Sequence, residues 1–236
     1  MPCGCKLSAG NGVAGLPGQL RPRILEGLSK AELDSVLSLA KHRHFRTSSV
    51  VIHEGEPADR LFLLTSGQGR QFVTTDKGQK VILYWLTAGQ VFGGVAMLSS
   101  PVNYLGSTEV QPDSCALMWE RQTIRELVSR CPQVLDNALS IAATENYPWL
   151  VAAQASLVSD DARGRVAHLL VSLACGIGKA TKDGVELRIR NEDLASGANV
   201  TPFTASRILS EWQRADIVTK HRGKILLRKP FLLACD

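Results

Sequence analysis

Two hydrophobic rhythms divide the chain. Between Phe45 and Trp119, apolar residues come in short runs that read as strands over 50–53, 61–64, 69–74, 80–86, 104–110 and 114–119. Turn residues punctuate them: Gly55, Gly67, Asp76-Lys77-Gly78, Gly89 and Gly93-Gly94. Strands so spaced predict an antiparallel sandwich, barrel or jelly roll, a shell able to enclose a small ligand. On either side the period is helical. Leu33, Val36, Leu37 and Ala40 follow a capping-box pattern at Ser29 and Glu32, and that helix is expected to end near His42–His44 as a solvated basic terminus. A short helix is predicted over 120–128, and Pro132 opens a longer one. There Leu135, Leu139, Ala142, Asn146, Trp149 and Ala153 step by 4, 3, 4, 3 and 4, the a/d seam of a two-stranded coiled coil in which Asn146 favours one register. Pro148 predicts a kink or break. A helix buried against its own domain would show the same stripe. Ser159-Asp160-Asp161 caps a further helix with Val166, Leu169, Leu170 and Leu173 on its apolar face, Gly176 and Gly178 end it, and a strand is read over 184–189.

The stretch 191–210 reads as two short helices around a tight turn. Asn191 is expected as the N-cap of the first, with Glu192 and Asp193 in its first turn and Leu194, Ala195 and Ala198 on one face. Asn199 sits where the chain must turn, and Asn tolerates left-handed backbone. Thr201 caps the second helix, with Pro202 at its first position. Ala205, Ile208, Leu209 and Trp212 share one side of it, while Phe203, Ser206, Arg207 and Ser210 share the other. A helix with a buried apolar face and a short outward face carrying Arg suits the DNA major groove. An ordinary helical hairpin closing a domain has the same pattern, and two neighbours count against it. Residues 216–227 read as a β-hairpin turning at Arg222-Gly223, a wing bearing Lys220, His221, Arg222 and Lys224. Across 188–229 there are nine Lys/Arg against four Asp/Glu, an excess of five that equals the formal net charge of +5 for the whole chain. Positive charge thus gathers where a phosphate backbone would be met.

At 236 residues the chain can hold one large domain or two small ones, and 44% hydrophobic with 21% charged residues is ordinary for a globular protein. No apolar stretch is long enough for a membrane span and no secretory signal is evident, so a cytoplasmic location is expected. The six cysteines (3, 5, 115, 131, 175 and 235) are then expected as reduced thiols. Residues 1–20 read as a flexible arm. Cys3 and Cys5 within it are too few for a structural zinc site, and no metal site is expected. No nucleophile–base spacing stands out, so an enzyme is not expected.

The order of jelly roll, seam helix and winged helix-turn-helix resembles the cyclic-AMP receptor protein and fumarate–nitrate regulator (Crp/Fnr) family of bacterial transcription factors. The likeness is carried by V-V-I-H-E-G-E-P-A-D-R-L-F-L-L-T-S-G (50–67), L-T-A-G-Q-V-F-G-G (86–94) and the D-L-A…N-V-T…S-R-I-L pattern (193–209). It implies an α+β fold: an arm (1–20), a cyclic-nucleotide-binding-like double-stranded β-helix (21–131), a dimerisation helix (132–158) and a winged helix-turn-helix (159–236). It also implies a homodimer on double-stranded DNA, with RNA polymerase as a further partner.

Departures from the family pattern shape the rest. Members that bind cyclic AMP carry a Glu after the pocket Gly and an Arg-Ser pair about ten residues on; Gly94 and Tyr104-Leu105 stand there in this chain. A cyclic phosphate would lack its charge-assisted partner, so cyclic AMP is not expected as the effector. Phe92, Gly93, Gly94, Val95, Ala96, Tyr104 and Leu105 are the candidate pocket for something more apolar, with Tyr104 offering a hydroxyl. An iron–sulfur cluster is not supported by Cys3, Cys5 and the distant Cys115, and a haem ligand set cannot be placed on His42, His44 or His53. The resemblance puts Arg207 at the family's guanine-reading position, with Pro202 and Phe203 where Arg and Glu are often found. Phe203 is a candidate DNA contact that can touch a thymine methyl or simply pack, and Thr201, Thr204, Ser206, Lys220, Arg222 and Lys224 complete the expected DNA contacts. The expected function is a DNA-binding regulator controlled by an effector other than cyclic AMP. The alternatives are a redox or metal sensor acting on DNA through Cys3 and Cys5, and a ligand-responsive β-roll that binds a protein partner.

Overall fold

The computed structural model describes residues 16, 20–159 and 161–233. The N-terminal arm, with Cys3 and Cys5, therefore lies outside the described residues apart from Leu16 and Leu20. Two compact units are present, one formed by residues up to Val73 with Leu86–Pro148, the other by Thr74–Trp85 with Trp149 onward.

In the first unit, helix α1 (Lys30–Ser38) starts with the expected capping box: Ser29 accepts from the Glu32 amide, and the Glu32 carboxylate accepts from the Ser29 amide at 2.8 Å. These bonds hold the Glu32 carboxyl below its usual pKa, the Ser29 hydroxyl contributing most. α1 ends at Ser38, earlier than expected. His42–His44, read from sequence as a basic helix terminus, instead lie in strand β1 (Lys41–Phe45). It pairs antiparallel with β8 (Ser114–Glu120) at the edge of a four-stranded sheet ordered β1-β8-β3-β6, with β3 at Arg60–Ser66 and β6 at Val91–Phe92. Charged side chains on an edge strand keep it from pairing with other chains. The second sheet orders β2 (Ser49–Ile52), β7 (Ser107–Val110) and β4 (Gln68–Thr74), and β5 (Lys80–Thr87) follows β4 in the chain. The jelly roll is thus as expected, except that the strand read over 104–110 begins only at Ser107.

Helix α2 (Arg121–Arg130) follows β8. Its Arg121 and Arg125 donate to the carbonyls of Ala96, Met97, Leu98 and Ser99, tying down the loop after β6. Between β4 and β7, Arg70 donates twice to one Glu109 oxygen (3.0 and 2.8 Å), and the two side chains are only 5% and 13% exposed.

The long helical stretch departs from a simple heptad. Helix α3 (Gln133–Ile141) passes through a π-helical turn (Ala142–Asn146) into α4 (Tyr147–Ser159). The π turn closes its bonds one residue further along, which lets Pro148 enter without breaking the helix. The expected break at Pro148 is thus absent, and the π turn is the local irregularity in a continuous helix. The seam is altered as well. Leu135 packs against the core of the first unit, and Trp149 meets Tyr84 edge-on at 6.4 Å. The large apolar side chains left outward are Leu139, Tyr147, Leu150, Val151 and Leu157.

The second unit contains α5 (Ala162–Gly176), β9 (Lys179–Thr181), β10 (Gly184–Leu187), α6 (Asn191–Gly197), α7 (Pro202–Arg214), β11 (Val218–His221), β12 (Lys224–Leu227) and α8 (Pro230–Leu233). β9–β12 make one antiparallel sheet, ordered β11-β12-β10-β9. Its core joins Val166, Leu170 and Leu173 of α5 to Leu187, Leu194, Ile208, Trp212, Val218 and Leu227.

Breaking the Arg70–Glu109 pair by Arg70→Met should lower stability by about 3–5 kcal/mol, because it removes the cationic partner of a mostly buried carboxylate. The double replacement Arg70→Met with Glu109→Leu should recover most of that loss, as read by urea unfolding of the full chain.

Candidate nucleic-acid interface

Local chemistry places α6 and α7 at the intended turn. α6 begins at Asn191 itself, not after it: Arg190 is the N-cap, and the Asn191 side chain instead donates to the Pro202 carbonyl at 2.9 Å. Asp193 is buried and held by Arg190 at 3.0 Å. The chain reverses through Asn199, whose φ is 49°, the left-handed conformation expected there. The Val200 amide donates to Ala195 and the Arg165 guanidinium donates to the Ala198 carbonyl, so the turn is satisfied from both sides. Gly197 lies so close to α5 that a Cβ there would stand 2.8 Å from Leu169.

Thr201 caps α7 by accepting from the Thr204 amide at 3.1 Å, and Pro202 follows in the first turn. Ala205, Ile208, Leu209 and Trp212 are buried, Trp212 and Ala205 completely. Arg163 of α5 covers the Trp212 ring, 5.1 Å from its centre. The opposite face looks outward. Phe203 is 79% exposed and Arg207 follows one turn later with its side chain 58% exposed. Arg207 is held by Glu211 at 2.8 Å, and the other Glu211 oxygen takes Arg163 at 3.0 Å. The i,i+4 half of this triad is readable from spacing; Arg163, 48 residues upstream of Glu211, is not.

The expected contacts divide. Thr201 and Thr204 bring their hydroxyls within 2.9 Å of each other, and Thr201 is further occupied as the cap. Ser206 is half-buried, and its carbonyl accepts from Ser210 at 2.7 Å. The hairpin β11–β12 turns at Arg222-Gly223 as expected, Gly223 taking φ of 72°. Lys220 bridges from this wing to Ser210 of α7 at 3.0 Å. Lys224 is engaged by Glu186 at 3.1 Å, which pulls the Glu186 carboxyl below its usual pKa. Of the nine basic residues counted in 188–229, Arg214, Lys220 and Arg222 have no carboxylate partner among the described residues, while Arg188, Arg190, Arg207, Lys224, Arg228 and Lys229 do.

In the first unit, the expected ligand residues are mostly committed to the fold. Phe92 stacks on Phe62, ring centres 4.9 Å apart. Gly93 has φ of 75°, and a Cβ there would meet the Arg60 carbonyl at 2.5 Å. Gly94, Val95 and Ala96 belong to a 3-10 turn, with Ala96 fully buried. Tyr104 was expected to offer its hydroxyl to a ligand. It donates instead to the Arg60 carbonyl at 2.7 Å and accepts from the Arg60 amide at 2.9 Å. Leu105 is 82% exposed. A cavity of about 320 Å³ lies in the second unit, bordered by Ile82, Trp149, Leu157, Arg165, His168 and Leu169, and none of the seven expected residues lines it. Cys115 and Cys131 are buried, and Cys115 Sγ lies 3.3 Å from His44 Nδ1. Burial, then the nearby Glu32 charge, raises the pKa of Cys131, the opposite of a reactive thiol. No cluster of metal-binding side chains and no helix able to cross a membrane occurs among the described residues.

Comparison with known proteins follows this division. Residues 42–131 match the cyclic nucleotide-binding domain and residues 164–235 match the Crp-like helix-turn-helix domain. The chain is 27% identical over 212 residues to the "Cyclic AMP receptor protein" of Thermus thermophilus, covering 89% of this chain and 94% of that one. Its fold resembles FixK2 from Bradyrhizobium japonicum (TM-score 0.72, 21% identity, 83% of this chain and 96% of that one). It also resembles the c-di-GMP responsive regulator CLP of Xanthomonas campestris (TM-score 0.74, 16% identity, 84% and 99%).

Replacing Trp212 by Ala should cost about 3–5 kcal/mol and loosen the whole second unit. Phe203→Ala should stay within about 0.5 kcal/mol of the parent in the same denaturation experiment.

Proposed function

The chain belongs to the Crp/Fnr family of DNA-binding transcription regulators, and from that premise we propose that it works as a homodimer on an inverted repeat, under an effector other than cyclic AMP. The outward face of α7 carries this reading. Arg207, exposed one turn after Phe203, offers a planar guanidinium to guanine, while Lys220 and Arg222 on the wing supply cations for phosphates. Thr201, Thr204, Ser206 and Lys224 are secondary contacts, since their polar atoms or neighbours are already engaged.

The dimer is supported by the helical region 132–158. Leu139, Leu150, Val151 and Leu157 are 57%, 41%, 48% and 42% exposed, an apolar run for which a second copy is the natural cover. Leu139 also belongs to the seam read from Leu135, Leu139, Ala142, Asn146, Trp149 and Ala153. Two recognition helices about 34 Å apart would then enter successive major grooves. RNA polymerase is the expected further partner.

Against cyclic AMP stand Gly94 and Tyr104-Leu105, where a carboxylate, a guanidinium and a hydroxyl would be needed. The committed Tyr104 hydroxyl and outward Leu105 support the same conclusion.

Binding to a duplex selected from random sequence should fall steeply with salt. Arg207→Ala should flatten the preference at one base pair per half-site by about 5–150-fold, corresponding to about 1–3 kcal/mol. A gel shift in which that variant keeps the parent's preference would sink the assignment, and a monomer by sedimentation would sink the dimer. Cyclic AMP should leave the DNA affinity unchanged; tightening of the complex by cyclic AMP would overturn the effector reading.

A further inference from the structure

Phe203 holds a large apolar ring in water with no packing role. The core side of α7 is already filled by Ala205, Ile208, Leu209 and Trp212, and Phe203 is 79% exposed at the opposite face. Burying a Phe ring is worth about 1.5–3 kcal/mol, so such a ring in water forgoes a large gain that a partner would restore. Its neighbours show what that partner is. Pro202 beside it has no hydrogen-bonding side chain, and the Thr201 and Thr204 hydroxyls face each other at 2.9 Å. The first turn of α7 therefore presents an aromatic ring beside hydroxyls that already engage each other. One turn later stands Arg207, about 6 Å along the helix axis, which is within two base-pair steps of about 3.4 Å.

In the major groove, donors and acceptors distinguish most base edges, but one feature is apolar: the C5-methyl group of thymine. We propose that Phe203 reads a thymine methyl group within two base pairs of the guanine read by Arg207. The inference rests on the DNA-reading role of α7 and gives that role a second specificity determinant of different chemistry. Arg207 discriminates by hydrogen bonds; Phe203 discriminates by contact with one methyl group and is indifferent to the polar edge of the base.

Uracil in place of thymine tests this directly, because it removes the methyl and keeps every hydrogen-bonding group. The full-length protein is first used to select duplexes from random sequence. Each thymine of the selected half-site is then replaced in turn by deoxyuridine, and affinities are measured by fluorescence anisotropy. At one position per half-site, uracil should weaken parent binding about fourfold, and about fifteenfold when both half-sites are changed, the loss expected for one and two buried methyl groups. Phe203→Ala, whose exposed position leaves the fold intact, should bind thymine and uracil operators equally while keeping its guanine preference. Arg207→Ala should show the converse. Selection that yields no sequence preference overturns the DNA-reading role and this inference together. Selection that succeeds, with no thymine sensitive to uracil, overturns the methyl contact alone. So does a Phe203→Ala variant that still discriminates uracil, or one that changes only the oligomeric state.

Discussion

Burial of Trp212 is the constraint on which the second unit turns. The indole is fully buried, roofed by Arg163, and surrounded by α5, α7 and the β-sheet. A helix of 13 residues has only one apolar stripe, and here the core takes all of it. The rotation of α7 about its own axis is then no longer free. Phe203 and Arg207 face outward because Trp212, Ile208 and Leu209 cannot. The wing is fixed by the same core through Val218, Ile225 and Leu227, and Lys220 reaches across to Ser210.

Much of this unit was legible in the sequence because its determinants are local. A Thr cap, a Pro at the first position, an Asn at the left-handed turn and a period of 3.6 each act within a few residues. Even here one cap was misplaced. Asn191 looked like the helix start, but its side chain is drawn to the Pro202 carbonyl, a partner 11 positions away that spacing does not reveal. Counting charges also overstated the free positive surface. The nine basic residues gather as the count implies, yet six meet carboxylates, one of which, Glu186, lies just outside the counted window.

The first unit was legible in outline and opaque in detail. Alternating strands announced a jelly roll. β1 escaped because Lys41-His42-Arg43-His44 contains no apolar residue, and an edge strand needs none when its partner β8 supplies the buried positions. The contacts of the candidate ligand residues were hidden for a different reason. Tyr104 and Phe92 are of the type that lines pockets, but only coordinates reveal that Arg60 and Phe62 already occupy them. In the helical stretch, Pro148 forecast a fracture; a π turn absorbs it.

The bifurcated carboxylate of Glu211 has a consequence for target search. If Arg207 reads a base as proposed, its ion pair with Glu211 restrains the side chain beforehand, so less rotamer freedom would be lost on docking. It also places a negative group beside the reading face, where it opposes loose association with phosphates of arbitrary sequence. Both effects favour the correct site relative to the bulk of the genome. In the proposed role, a regulator built this way would gain selectivity by restraining its own attraction to nucleic acid, releasing from stretches that do not replace the hydrogen bond Arg207 makes to Glu211.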